Sequence, residues 1–252
     1  MGQFDGKVAL VTGSGSGLGR ACATLFAREG ASVVVADINP EGGAETVRLI
    51  EDAGGKALFV EADVGKSEHI QRMVRTAVET FGGLDCAVNN AVCAIGRTPL
   101  AEISDDDWAR AAAVNITGVF LCMKYEIQAM LTRGGGAIVN IGSGHEHSSV
   151  GGLAWYLPAK QAAYGMARVA AIDYGTKGIR VNSVGPGSMW TPGLRAAAAI
   201  DPGHVEGLSA RAELKRLAEP DEVAEAVLWL CSPRASYVTG HTLVADGGAV
   251  LG

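Results

Sequence analysis

The stretch from Val8 to Asp37 constrains the fold of this chain more than any other. Val8-Ala9-Leu10-Val11 is a short apolar run that leads through Thr12 into Gly13-Ser14-Gly15-Ser16-Gly17-Leu18-Gly19, and a helix-like segment follows from Arg20 to Glu29. In such a strand, turn and helix the glycines let the main chain bend tightly, and the unpaired N–H groups at the helix start favour negative charge. Ser32 to Ala36 reads as a second buried strand ending at Asp37, eighteen residues after Gly19, where a dinucleotide-binding βαβ unit carries its ribose-binding acid. A glycine run alone also serves to reverse a chain, and Asp37 is also placed to cap a helix ahead of Pro40. Their ordered coincidence carries the dinucleotide reading. An acid at 37 repels a 2′-phosphate and no arginine follows it, so NAD is expected over NADP.

The rest of the chain keeps the same alternation. Residues 40–53 and 67–80 have helical patterns separated by a strand from Ala57 to Val60, and Leu84 to Val88 is a further strand that runs into Asn89-Asn90-Ala91. Asparagine suits a crowded turn at the carboxyl end of a strand, and it is also a common turn former. Asp105 to Arg133 reads as one long helical stretch with Asn115 inside it, a poor helix former that needs a reason to be there. Strands at Ala137–Ile141 and Arg180–Val184 deliver Ser143 and Gly185-Pro186-Gly187 to their carboxyl ends, where open α/β sheets bind ligands. Residues 188–215, with Pro192 and Pro202, fit a partly helical flap or a linker. A helix begins at Pro220 with Val223, Val227 and Trp229 or their neighbours turned inward, and Leu243–Ala245 is the last strand. This is an α/β, doubly wound, Rossmann-type pattern over residues 1–252, read as a single domain.

Composition narrows the function. The 252 residues carry 21 Lys and Arg against 27 Asp and Glu, a net charge of −6 with no basic run, which argues against nucleic acid as a partner. The 5 cysteines have neither a CxxC pair nor zinc-ligand spacing and fit reduced thiols in a cytosol. No apolar run approaches the length of a membrane span, so a soluble cytoplasmic protein is the expectation.

One further pattern carries chemistry. Ser143 stands thirteen residues ahead of Tyr156, and Lys160 lies four beyond that tyrosine, where it shares a helical face with it. A phenol with a pKa near ~10 is a poor base, and an adjacent ammonium would bring it towards neutrality. Tyrosine and lysine four apart are also common for packing and solvation.

Taken together, these motifs resemble the classical short-chain dehydrogenase/reductase family over nearly the whole chain. Thr12-Gly13-x-x-x-Gly17-x-Gly19 is similar to its cofactor loop, Asn89-Asn90-Ala91 to its Asn-Asn-Ala-Gly turn, and Asn115, Ser143, Tyr156 and Lys160 to its four catalytic positions. The resemblance implies a seven-stranded parallel sheet flanked by helices on both faces, usually in a homotetramer, and NAD(H)-dependent interconversion of a secondary alcohol and its ketone. Tyr156 would be the general acid/base. Lys160 would lower its pKa and hold the ribose. Ser143 would hydrogen-bond the developing oxyanion, and Asn115 would anchor a relay water. Cofactor contacts are implied at Gly13, Ser16, Gly17, Leu18, Gly19, Asp37, Ile38, Asp63, Val64, Asn90, Ala91, Tyr156, Lys160, Pro186, Gly187, Met189 and Thr191, with no metal.

Two residues depart from the family pattern. Val92 replaces the glycine of the Asn-Asn-Ala-Gly turn and is expected to weaken cofactor binding unless its φ stays negative. Pro158, inside Tyr-x-x-x-Lys, disfavours a helical Leu157 unless it falls in the first helical turn. His145 and His147 suit a solvated loop better than a metal site, and Trp155 and Trp190 are candidates for the substrate wall, the core or an interface. The alternatives are a 3-oxoacyl thioester reductase, against which Asp37 argues, and a non-catalytic NAD-binding scaffold or sensor.

Overall fold

The computed structural model describes residues 2–144 and 151–251. Among them, β1 (Val8–Thr12), β2 (Ser32–Asp37), β3 (Lys56–Glu61), β4 (Cys86–Asn89), β5 (Gly136–Ile141), β6 (Ile179–Pro186) and β7 (Thr242–Ala245) form one sheet in the order β3-β2-β1-β4-β5-β6-β7. All pairings are parallel. The chain winds outward from β1 to β3 and then returns to β4. The order therefore reverses between β1 and β4, and a crevice opens there beyond the strand ends.

Side-chain alternation along each strand builds two apolar layers. Ala9 and Val11 of β1 pack with α1 (Gly17–Arg28), α2 (Pro40–Asp52) and α9 (Pro220–Cys231). Val8 and Leu10 face the opposite side and pack with α3 (Ser67–Phe81), α5 (Val119–Arg133) and α6 (Leu157–Tyr174). The remaining helices, α4 (Asp105–Ala112), α7 (Pro192–Ile200) and α8 (Pro202–Arg211), lie outside these layers, and α4 and α7 reach the crevice. No helix among the described residues is long and apolar enough to cross a membrane.

Several boundaries differ from the sequence expectation. The first helix takes in Gly17, Leu18 and Gly19, and β6 runs on through Gly185 and Pro186. The stretch from Asp105 to Arg133 is not one α-helix, because a π-turn over Ala113–Gly118 interrupts it and supplies the reason for Asn115. A Cβ on Gly118 would come within 2.7 Å of the Val64 carbonyl, so this turn lies directly against the loop after β3. Glu219 and Glu222 form a capping box on α9, which buries Val223 and Val227 and, beside Trp229 at 38% exposed, its neighbours Leu228 and Leu230.

A buried acid lies behind the Asn-Asn-Ala turn. Asn89 Nδ2 donates to Glu126 Oε2 on α5 and to Asn140 Oδ1, both at 3.0 Å, while Glu126 Oε1 has no hydrogen-bond partner. Burial pushes the Glu126 carboxyl up to about 8, against the Asn89 hydrogen bond, so it is protonated at neutral pH. Between the ordinary carboxyl value and about 8 the folded chain holds a proton that the unfolded chain releases, so this group's contribution to stability falls as pH rises through that window. Glutamine mimics the protonated form. The melting temperature of the wild type relative to Glu126→Gln is therefore expected to fall by on the order of 5–10 °C between about pH 5 and pH 8. A pH-independent difference would mean that Glu126 titrates as an ordinary carboxylate.

Candidate active site

A cleft of about 890 Å³ crosses the carboxyl ends of the strands, and the sequence-predicted residues Gly13, Ser16, Gly17, Leu18, Asp37, Ile38, Asp63, Val64, Asn90, Ala91, Tyr156, Lys160, Pro186, Gly187, Met189 and Thr191 all line it. Three predicted residues do not. Gly19 packs against Gly13, Asn115 bonds the main chain of Cys93, and Ser143 hydrogen-bonds Tyr156, so each touches a residue that lines it.

The glycine loop is shaped as a cradle. Gly13 and Gly17 have φ values of +64° and +52°, which side chains resist. Asn90 Nδ2 donates to the carbonyls of Thr12 at 2.9 Å and Gly13 at 3.0 Å, and Thr12 Oγ1 accepts from the main-chain N–H groups of Asn90 and Ala91. A Cβ on Gly13 would meet Asn90 and Ala91, and Gly19 packs so closely on Gly13 that no side chain fits. Ser16, the N-cap of α1, gives the helix no side-chain hydrogen bond. That leaves the first N–H groups of α1 without a side-chain cap at the cleft, as an anion requires.

Asp37 is fixed at the tip of β2. Its Oδ2 accepts from Gly15 N–H at 2.7 Å and its Oδ1 from Asn39 N–H at 2.8 Å. Arg20 is engaged nearby, donating to the Gly15 carbonyl and to Thr46 Oγ1. Farther along, Asp63 accepts from Gly65 N–H at 2.9 Å, and its own N–H donates to His69 Nδ1 at 3.1 Å. Gly65, Lys66, Arg110, Ala113 and Val114 complete this end of the cleft. Arg110 of α4 and the π-turn residues Ala113 and Val114 reach this end beside the loop after β3, a contact that sequence spacing does not record.

Tyr156 N-caps α6 with helical dihedrals, Pro158 falls in the first turn, and Lys160 N–H donates to the Tyr156 carbonyl at 3.0 Å. The i, i+4 geometry therefore holds despite the proline. Lys160 Nζ donates to the Ile141 carbonyl at 2.8 Å and lies 5.4 Å from the centroid of the Tyr156 ring. Burial lowers the Lys160 ammonium to about 8, so it remains mostly cationic at neutral pH. The Tyr156 phenol moves the opposite way from the sequence expectation. Burial raises it above its ordinary value, and the counteracting influence is its hydrogen bond with Ser143 rather than the lysine.

Ser143 is held by a tyrosine that the motif reading missed. The Tyr164 hydroxyl accepts from Ser143 N–H at 2.7 Å and donates to the Ser143 carbonyl at 2.6 Å. Tyr164 follows Lys160 by four residues on α6, so helical spacing could have found it. Asn115 commits its side chain to Cys93, accepting from its N–H and donating to its carbonyl, both at 2.9 Å. It thus pins the segment after Ala91. Val92 in that segment is 50% exposed and does not have a positive φ, so the missing family glycine is accommodated without backbone strain.

Neither tryptophan lines the cleft. Trp155 is buried behind Tyr156, and Trp190 N–H donates to the Ala218 carbonyl at 2.9 Å, anchoring the start of α7. Thr191, Pro192, Gly193 and Leu194 of that segment close one side of the cleft. His145 and His147 lie outside the described residues.

A doubly wound parallel sheet with an anion cradle, a fixed acid and a buried phenol–hydroxyl–ammonium group at its switch point defines a dinucleotide-dependent oxidoreductase. The family model described as Enoyl-(Acyl carrier protein) reductase matches residues 13–250. The chain belongs to the classical short-chain dehydrogenase/reductase family. It is 44% identical over 249 residues, 98% of each chain, to the 2,5-dichloro-2,5-cyclohexadiene-1,4-diol dehydrogenase of Sphingobium indicum. It is 41% identical to the cyclohexanol dehydrogenase of an Acinetobacter species, covering 97% of this chain and 95% of that one. Its fold is similar to that of a presumed short-chain dehydrogenase/reductase from Burkholderia xenovorans, with a TM-score of 0.93 and 35% identity over 100% and 99% of the two chains.

Proposed function

We propose that this chain is an NAD(H)-dependent oxidoreductase that interconverts a secondary alcohol carried on a ring and the corresponding ketone. The observation that carries the chemistry is the Tyr156 phenol facing the cleft between Ser143 and the Lys160 ammonium. The bound nicotinamide supplies the hydride acceptor or donor. Tyr156 exchanges the hydroxyl proton with the substrate oxygen, Ser143 hydrogen-bonds that oxygen as charge gathers on it, and Lys160 stabilises the phenolate and holds ribose hydroxyls. Asn115 has committed its side chain to Cys93, which leaves only its main chain for a relay water. Asp37 binds the adenosine ribose hydroxyls and disfavours NADP.

The ring preference rests on two full-length relatives named for ring-borne alcohols. Exposed Phe120, Val169 and Ile172 on α5 and α6 support a homo-oligomer, with a tetramer favoured by the family. The unpaired cysteines, all but Cys93 buried, suit the cytoplasm.

The test is reduced-nicotinamide absorbance across cyclic alcohols, linear secondary alcohols and a 3-oxoacyl thioester, each with NAD(H) and NADP(H). Cyclohexanol-type substrates with NAD are expected to give kcat/KM at least about tenfold above the linear alcohols, the size of effect that a shaped apolar pocket supplies. Turnover confined to the thioester with NADPH would instead support the carrier-protein reading, whose substrate class, though not its reaction, appears in the description of the matching family model.

A further inference from the structure

Segment 151–156 is exposed or half-buried except at Trp155, which is 6% exposed. The indole of Trp155 makes two different contacts. Its Nε1–H donates to the Gly96 carbonyl at 2.6 Å, and its ring meets the Tyr156 ring edge-on, with centroids 5.3 Å apart and an interplanar angle of 63°. A tryptophan buried only for packing needs a partner for its N–H, but any nearby carbonyl would serve. Here the partner belongs to the loop after Ala91. That loop is held at Cys93 by Asn115 and again at Thr98, whose N–H donates to the Gly152 carbonyl at 3.0 Å. Gly96 has a φ of +84° with open space around its Cβ position, so glycine is required there for the backbone turn that presents this carbonyl. Val92 and Cys93 of the same loop line the cleft.

We propose that Trp155 is a positioning residue that ties the 92–98 loop to the Tyr156 ring, so that the loop forming one wall of the cleft and the phenol facing it hold a fixed distance. The inference rests on Tyr156 acting as the acid/base. Substrate seated against the loop is then presented to the phenol in register, and misplacement by about 1 Å is costly for proton transfer. Among the described residues, the charged or hydrogen-bonding groups at the phenol are Lys160 and Ser143. Trp155 acts on the phenol by position and by excluding water.

Two variants separate these contacts. Trp155→Phe keeps a ring against Tyr156 and removes the hydrogen bond to Gly96, whereas Trp155→Leu removes both. For Trp155→Phe, with cyclohexanol as the probe, KM for the alcohol is expected to rise about fivefold, the weight of one lost buried hydrogen bond. The NADH dissociation constant stays within about twofold, and amide hydrogen exchange across 92–98 quickens by about the same fivefold factor. In Trp155→Leu the limb on which kcat/KM rises with pH also moves to lower pH, because water reaches a phenol that burial had raised. Unchanged alcohol KM, exchange and pH limb in both variants overturn the proposal. So does a loss that tracks melting temperature and falls equally on NADH binding. If Tyr156→Phe is inactive while the Trp155 variants match the wild type, only this inference fails; if Tyr156→Phe is fully active, the function proposed above fails first.

Discussion

Replacing Tyr156 with phenylalanine is expected to lower kcat for alcohol oxidation by about 10³-fold or more while the NADH dissociation constant stays within about twofold. The phenol is the acidic group that faces the cleft beside the Ser143 hydroxyl, and a positioned acid/base contributes about 10²–10⁴-fold. The substitution removes one oxygen. The ring remains, with its edge contact to Trp155 and the Lys160 ammonium over its face, so the walls of the cleft do not move. The loss should therefore appear in kcat and spare cofactor affinity, which separates it from a folding defect. Ser143→Ala should follow with a smaller loss of about 10–10²-fold, because the hydroxyl shares the oxyanion with the phenol. Fluorescence titration with NADH and steady-state kinetics check both variants. Activity of Tyr156→Phe within tenfold of the wild type would place proton transfer elsewhere.

Much of this site was legible because its parts are local in sequence. The glycine loop, the acid closing β2 and the Tyr-x-x-x-Lys pair are each set by short spacings, and the strands that carry them to one edge of the sheet are short apolar runs alternating with helical patterns. What escaped the sequence depends on contacts between distant segments. The π-turn at Ala113–Gly118 sets Gly118 against the Val64 carbonyl, some fifty residues earlier, a contact that no helical periodicity records. Asn115 was flagged as an oddity, yet its partner is the main chain of Cys93, which carries no side-chain signature. The upward shift of the Tyr156 phenol has a related origin. Sequence spacing counts the charge of Lys160 but not the water that folding removes from the phenol, and that burial raises Tyr156 against its hydrogen bond with Ser143. Lys160 also donates to the Ile141 carbonyl, and it presents its ammonium to the face of the ring.

The same weighing of charge against solvent predicts the largest change in specificity. Asp37→Ser combined with Ile38→Arg is expected to shift the NAD:NADP ratio of kcat/KM by about 10³-fold or more towards NADP. The Asp37 carboxylate is fixed by Gly15 and Asn39 N–H groups at the end of β2, so it cannot swing away from a 2′-phosphate. Two unit charges about 4 Å apart at an effective dielectric near 20 repel by about 4 kcal/mol, and each 1.4 kcal/mol is a factor of about ten. Removing the carboxylate relieves that repulsion and also forfeits its hydrogen bonds to the ribose of NAD. Ile38 is 65% exposed beside the cleft, so an arginine there enters without displacing core, and its guanidinium matches a phosphate in geometry and charge. Arg20 does not already fill that role, because it donates to Gly15 and Thr46. The single variant Ile38→Arg isolates the two contributions: with the carboxylate still in place it should improve NADP only about tenfold. A ratio that moves less than tenfold in the double variant would mean that the adenosine ribose does not lie against Asp37, and the preference for NAD would then need another origin.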